Sequence, residues 1–307
     1  MHKINIMKSK FVLLILINTL FIVNIYPQSW RLYRQNIGIN VGMTNFLGDL
    51  GGGKTIGQPF IYDLDIQATR PMIGVSYNYR LDKFIALNTN LNFGYLRGDD
   101  AFTKNQVRNN RNLNFRSPII ELVEQFELSL YNSSETKRYN LKNIKGWKSY
   151  EIYAFVGVGV FWFNPQGRAP DGKWYNLKPF STEGQRLSPE IKPYSNFQVT
   201  IPYGLGFRYK PNRQWAYGFV IGPRFTFSDY IDDCSTVYFD NDIIRSQKGD
   251  IAAYFADPSK GEIAGQTLTG EQRGDPEDKD SYIFAYFTIN YAFTGSNIKG
   301  SNAPKFY

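Results

Sequence analysis

At 307 residues the chain has room for one large domain or two ordinary ones, and its net charge of +8 comes from 35 basic and 27 acidic residues. Both signs are scattered, so there is no clustered basic stripe of the kind that binds nucleic acid. A single cysteine, Cys234, excludes an intramolecular disulfide and a thiolate metal cage, and the single histidine, His2, lies at the N-terminus.

Residues 1–10 carry Lys3, Lys8 and Lys10, and Phe11 to Val23 is apolar apart from Asn18 and Thr19. A basic start followed by a short apolar core predicts a cleaved secretory signal peptide and is too short for a confident membrane helix. Asn24-Ile25-Tyr26-Pro27-Gln28 has no small-x-small pattern, so cleavage is placed near Gln28, and no cysteine follows that would mark a lipoprotein. The expected division is a signal peptide over 1–28, a barrel over 29–293 and a C-terminal tail over 294–307. Cleavage would remove His2 and three lysines and no acid, lowering the charge to +5. With it go histidine-dependent triads and histidine metal sites.

Aromatic residues make up 17% of the chain, with 22 Tyr and 24 Phe, yet the mean hydropathy is −0.38. What recurs after the signal is period-2 alternation, the mark of a strand with two unlike faces. Residues 36–43 set Ile37, Ile39, Val41 and Met43 against Asn36, Gly38, Asn40 and Gly42. Residues 72–80 set Ile73, Val75, Tyr77 and Tyr79 against Gly74, Ser76, Asn78 and Arg80. Residues 85–95 set Ile85, Leu87, Thr89, Leu91, Phe93 and Tyr95 against Ala86, Asn88, Asn90, Asn92 and Gly94. Residues 119–130 place Leu122, Phe126, Leu128 and Leu130 opposite Glu121, Gln125, Glu127 and Ser129. Residues 151–162 place Ile152, Ala154, Val156, Val158, Val160 and Trp162 opposite Glu151, Tyr153, Phe155, Gly157, Gly159 and Phe161. Residues 201–210 set Ile201, Tyr203, Leu205, Phe207 and Tyr209 against Gly204, Gly206, Arg208 and Lys210. Residues 215–228 set Trp215, Tyr217, Phe219, Ile221, Phe225 and Phe227 against Gly218, Gly222, Arg224, Thr226 and Ser228. Residues 282–293 set Ile283, Phe287, Ile289, Tyr291 and Phe293 against Tyr286, Thr288 and Asn290.

The connections between these eight segments sort by length. Leu81-Asp82-Lys83 and Pro211-Asn212-Arg213 are tight, and 131–150 is longer and polar. The other four, near 44–71, 96–118, 163–200 and 229–281, are long. An even strand number with short turns at one end and long loops at the other predicts an eight-stranded antiparallel transmembrane β-barrel with short periplasmic turns and four long extracellular loops. Aromatic girdles are expected from Tyr79, Tyr209, Trp215 and Phe293 on the turn side and from Phe46, Tyr95, Trp162 and Phe227 on the loop side. Glu124 falls on the lipid face in this register, and a bulge in the fourth segment would move it inward. Pro202 and Pro223 also suggest bulges. Glu121, Glu127 and Glu151 share the inner face with Arg80, Arg208 and Arg224. A lumen only wide enough for its own side chains would hold them as paired plugs.

Gly48-Asp49-Leu50-Gly51-Gly52-Gly53-Lys54-Thr55 spells a phosphate loop, but no amphipathic helix follows before Pro71, so a flexible glycine turn is expected and no nucleotide. Acids gather at Asp229, Asp232, Asp233, Asp240 and Asp242, and at Asp275, Glu277, Asp278 and Asp280. Their spacing fits no EF-hand, which favours solvated loop acids over a calcium site. Cys234 has no histidine to activate it and is expected to be a structural or tolerated thiol. No catalytic, cofactor-binding or metal-ligating residue is assigned.

Several stretches, in order, resemble the PorG-like outer-membrane proteins of the type IX secretion system. They are Asn45-Phe46-Leu47-Gly48-Asp49-Leu50-Gly51-Gly52, Ala68-Thr69-Arg70-Pro71, Leu96-Arg97-Gly98-Asp99-Asp100 and Arg108 to Arg116. Thr182-Glu183-Gly184-Gln185, Ile201-Pro202-Tyr203-Gly204, Phe227-Ser228-Asp229-Tyr230-Ile231-Asp232-Asp233-Cys234-Ser235 and Arg273-Gly274 complete the set. The resemblance implies a non-enzymatic barrel in the outer membrane that associates with a periplasmic ring of PorK-like lipoprotein and PorN-like protein near the translocon. A small solute porin is the alternative, and a barrel enzyme acting on lipid or peptide is a distant third.

Overall fold

The computed structural model describes residues 33–50, 66–103, 105–133 and 148–293. The signal peptide assigned to 1–28, the tail assigned to 294–307 and most of the 131–150 connection lie outside them. Eight long strands carry the fold: β1 (Gln35–Leu47), β2 (Arg70–Arg80), β3 (Ile85–Asp99), β4 (Asn114–Asn132), β5 (Ser149–Phe163), β8 (Phe197–Lys210), β9 (Trp215–Thr226) and β10 (Ser281–Phe293). Each pairs antiparallel with its neighbour in the chain, and β1 pairs with β10 from Gln35↔Phe293 to Leu47↔Ser281, so the sheet closes. Closure leaves no strand edge and satisfies the backbone without water, which is what crossing a hydrocarbon layer demands. Two short strands, β6 (Gln166–Arg168) and β7 (Trp174–Asn176), form a hairpin inside the third long loop.

The eight alternating segments all become strands with the faces expected of them, save that Ile283, expected on the outer face, is buried. Ile39, Val158 and Phe287 point outward, at 56%, 59% and 66% exposure. Such a continuous apolar belt would drive a soluble protein to associate, and it fits a lipid surface. Inside, the character changes along the barrel. The turn-side half is polar, with Asn40, Asn78, Asn88, Asn90, Gln125 and Glu127 buried. The loop-side half is a greasy plug in which Phe46, Leu96, Phe115, Ile119, Phe161, Phe163, Tyr282 and Phe284 cluster.

Three details differ from expectation. Phe46 is buried, edge-on to Phe115 at 4.8 Å, and not in an outer girdle. It shares the inward parity of Asn40 and Thr44 once β1 is followed to Leu47. No bulge carries Glu124 inward: the one shift in β4 lies between Ser129 and Tyr131, nearer the turn end. Glu124 stays on the outer face, where the Thr89 hydroxyl donates to it at 2.5 Å. Pro202 and Pro223 also produce no bulge. The β8–β9 ladder lapses between Pro202↔Arg224 and Leu205↔Ile221 and resumes in the same register, because a proline withholds a donor without adding a residue.

Candidate functional site

Two polar assemblies are candidates for function, one inside the barrel and one above its loop end. Inside, the expected pairings form. Arg80 meets Glu151 at 2.9 Å, Arg208 meets Glu127 at 3.0 Å and Glu151 at 3.3 Å, and Arg224 meets Glu121 at 3.2 Å. Lys210, placed on the inner face but not assigned a partner from sequence, joins Glu151 at 2.6 Å. The carboxylates are further held by neutral donors. Asn78 and Asn88 both donate to Glu127, at 2.9 and 2.8 Å, while Asn92 and the Tyr282 hydroxyl donate to Glu121 at 3.0 and 2.8 Å. On the inner face between these two levels, Asn40 donates to Asn90 and Asn90 to Gln125. Buried charges satisfied this fully form a rigid plug, because each holds its partner's geometry. The Tyr153 ring lies under the Arg208 guanidinium and the Phe284 ring under that of Arg224, both at 4.3 Å.

Above the barrel the long loops fold into a cap. It holds α1 (Gln106–Arg111) in the second loop, and α2 (Asn241–Lys248) and α3 (Asp250–Ala256) in the fourth. Two arginines knot it. Arg111 grips Asp100 through Nε and Nη2 at 2.9 and 3.0 Å, and donates to the carbonyls of Arg273 at 2.7 Å and Asp49 at 2.8 Å. One side chain thereby joins the first, second and fourth loops. Arg273 pairs with Glu183 at 2.8 Å and donates to the Asp233 carbonyl at 2.6 Å. Glu183 in turn accepts from the N–H groups of Ser235 and Thr236 and from the Thr236 hydroxyl, which brings in the third loop. Gly184 follows it at φ +79°, in the left-handed region, where a Cβ would also strike the Phe239 ring. Only glycine fits there.

The acidic clusters divide. Asp240 caps α2, Asp242 pairs with Arg245 at 3.1 Å, and Asp275, Glu277 and Asp278 are exposed. Asp229, Asp232, Asp233 and Asp280 are buried, which corrects the expectation of solvated loop acids for these four. Asp232 accepts from the N–H groups of Leu50 and Cys234, and Asp280 from that of Ile231. The Thr182 and Tyr194 hydroxyls both donate to Asp233, at 2.6 Å. Burial raises all four. Asp229 is pushed up to about 7 and Asp233 to about 6, the second in spite of Arg273 nearby. Burial and then neighbouring carboxylates hold Asp232 and Asp280 well above the usual range. Among the described residues no group of three His, Cys, Asp or Glu side chains is arranged to hold a metal ion.

Of the phosphate-loop spelling, Gly48 to Leu50 enter the cap and 51–55 lie outside the described residues. The Asp49 carboxylate accepts from the Asp275 N–H at 2.8 Å, and Leu50 is buried. Cys234 is fully buried and its thiol donates to the Arg273 carbonyl at 3.2 Å. Burial pushes that thiol well above its ordinary range despite two arginines nearby. The roles of Arg111 and Arg273 had no local signal in the sequence, since their partners lie far away along the chain.

A closed barrel with an apolar belt, a filled lumen and a loop cap defines a transmembrane β-barrel of the outer-membrane type. No protein-family model matches the chain, and no curated relative does. Among solved structures it is similar to Ail, the attachment invasion locus protein of Yersinia pestis, at 8% identity and a TM-score of 0.35, over 85% of this chain and 99% of that one. It is also similar to Neisserial surface protein A, at 5% identity and a TM-score of 0.35 over 84% and 97%. A major outer membrane protein from Thermus thermophilus shows 12% identity and a TM-score of 0.36 over 84% and 99%.

Proposed function

We propose that this barrel is a non-enzymatic structural part of a type IX protein secretion machine, docking a periplasmic ring of PorK-like and PorN-like proteins at the outer membrane. The observation that carries the reading is the convergence of the stretches behind the PorG-like resemblance. Gly48–Leu50, Leu96–Asp100, Arg108–Arg116, Thr182–Gln185, Phe227–Ser235 and Arg273 meet in one buried cap. They are therefore parts of a single scaffold and not scattered likenesses. The ion-paired lumen and aromatic plug speak for an anchor and against the alternative of a solute porin.

Short turns face the periplasm in barrels of this kind. The segment between β4 and β5 and the segment after Phe293 both leave from that end. Docking is assigned to the 131–150 connection and to the basic tail 294–307, with Lys299 and Lys305. The test is to delete 294–307 and to shorten 131–150 in separate variants, confirm insertion of each, and measure how much ring protein co-purifies. Loss of the ring with either variant is the expected result. If both hold it as well as the parent while a fourth-loop deletion loses it, docking lies at the other end.

A further inference from the structure

Between the two aromatic rims, the outer face of the described residues carries a single carboxyl. The outward residues of β4 run Ile120, Leu122, Glu124, Phe126, Leu128, Leu130, so a carboxyl stands in the middle of the lipid-facing stripe. Its one hydrogen bond among the described residues comes from Thr89, its partner on β3. Oε1 has none. On the other flank its partner is Val158 of β5, and that strand turns only Ala154, Val156, Val158 and Val160 outward over this stretch. A strip of short side chains therefore runs beside the carboxyl, with Phe126 and Leu122 on one side and Tyr203 and Leu205 of β8 on the other.

Hydrocarbon offers no donor to the second oxygen, and an ionisable group at this depth is unfavourable unless something pairs with it. In membranes such groups join one spanning segment to another, and small side chains let the two approach closely. We propose that Glu124, Thr89 and the Ala154–Val160 strip form a lateral docking surface for a different membrane-spanning protein, one that presents an arginine or lysine at the depth of Glu124. Charge complementarity selects this occupant. A second copy of the chain does not supply it, because among the described residues the outer face between the rims carries no lysine, arginine, asparagine or glutamine. The surface is separate from the turn-end docking described above and stands or falls independently of it.

The test places the photo-reactive residue benzoylphenylalanine at Val158, with Ile39 on β1 as a control site, in the full chain in intact outer membranes. After irradiation, the joined peptides are sequenced. The expected result is an adduct from position 158 to a spanning segment of another protein, with a lysine or arginine within a turn or two residues of the joined site. Its yield should fall at least tenfold with Glu124→Leu, and position 39 should not give it. Heat-modifiable mobility in SDS checks that the variant barrel has folded. Should the leucine variant fail to insert, Glu124→Gln removes the charge while keeping the size, and the same fall in yield is expected. Adducts only to lipid, adducts only to a second copy, or an adduct whose yield ignores Glu124 would each overturn the proposal.

Discussion

Glu151 is the residue on which the turn-side plug depends most, since Arg80, Arg208 and Lys210 all converge on its carboxylate. Removing it strands Arg80 and Lys210 and leaves Arg208 with Glu127 alone. Glu151→Ala should cost about 3–5 kcal/mol, the usual effect of breaking one side of a buried pair. The measurement is the urea midpoint of the reconstituted barrel, and a midpoint unchanged from the parent would show that the pairs contribute nothing. Cys234 yields a second expectation at this scale. Its thiol is buried and held protonated, so the reactive thiolate is scarce. A thiol reagent should label it only after boiling in SDS; prompt labelling of the native protein would mean that the cap is open. Inward and outward faces were legible residue by residue because a two-residue repeat leaves little choice. Phe46 was misplaced where the repeat was followed by chemistry and not by parity. An aromatic on the inner face looks like a girdle residue until the barrel's loop end is known to be greasy on both faces, as at Phe161-Trp162-Phe163.

At the scale of elements, the loops differ most from expectation. The strands announce themselves locally, but α1, α2 and α3 are six to eight residues long and sit in segments read from sequence as plain connections. They are held by distant contacts such as Arg111 of α1 with the Arg273 carbonyl and Phe255 of α3 stacked on Phe180 at 5.5 Å, which no local pattern encodes. The cap should respond to pH. Asp229 and Asp233 have folded-state values of about 7 and about 6, above the value near 4 of an unfolded aspartate. The folded cap therefore binds more protons than the unfolded one between those limits. This stabilisation is complete below about pH 4 and is lost as the pH rises through 6 and 7. Amide exchange over 227–236, corrected for its intrinsic pH dependence, should be at least tenfold faster at pH 8 than at pH 5.5. Asp229→Asn should flatten the difference, and equal protection at both values would remove the carboxylates from the account. A Gly184→Ala variant should loosen the same region at every pH, because the left-handed backbone and the Phe239 ring leave no space for a methyl group.

The whole molecule was the most legible of the three scales: strand number, order and the sorting of loop lengths all follow from where alternation starts and stops. The secretion role proposed above does not follow from alternation. It comes from a resemblance, and the geometry gives it a scaffold without naming a partner. A lumen closed by four cations, three carboxylates and a ring of aromatics has no room for bulk water. Planar bilayer recordings should show no stable ohmic steps, and regular steps from the unaltered protein would favour a channel.

The seam between β1 and β10 joins nearly the first described residues to nearly the last, along all 13 positions. Until β10 is in place, β1 and β9 each present a bare row of backbone donors and acceptors, and no partial sheet can rest in lipid. Insertion therefore has no stable halfway form. A chain that stops anywhere before Ser281 lacks β10 altogether and cannot close the seam. For this protein a late nonsense codon is as severe as an early one.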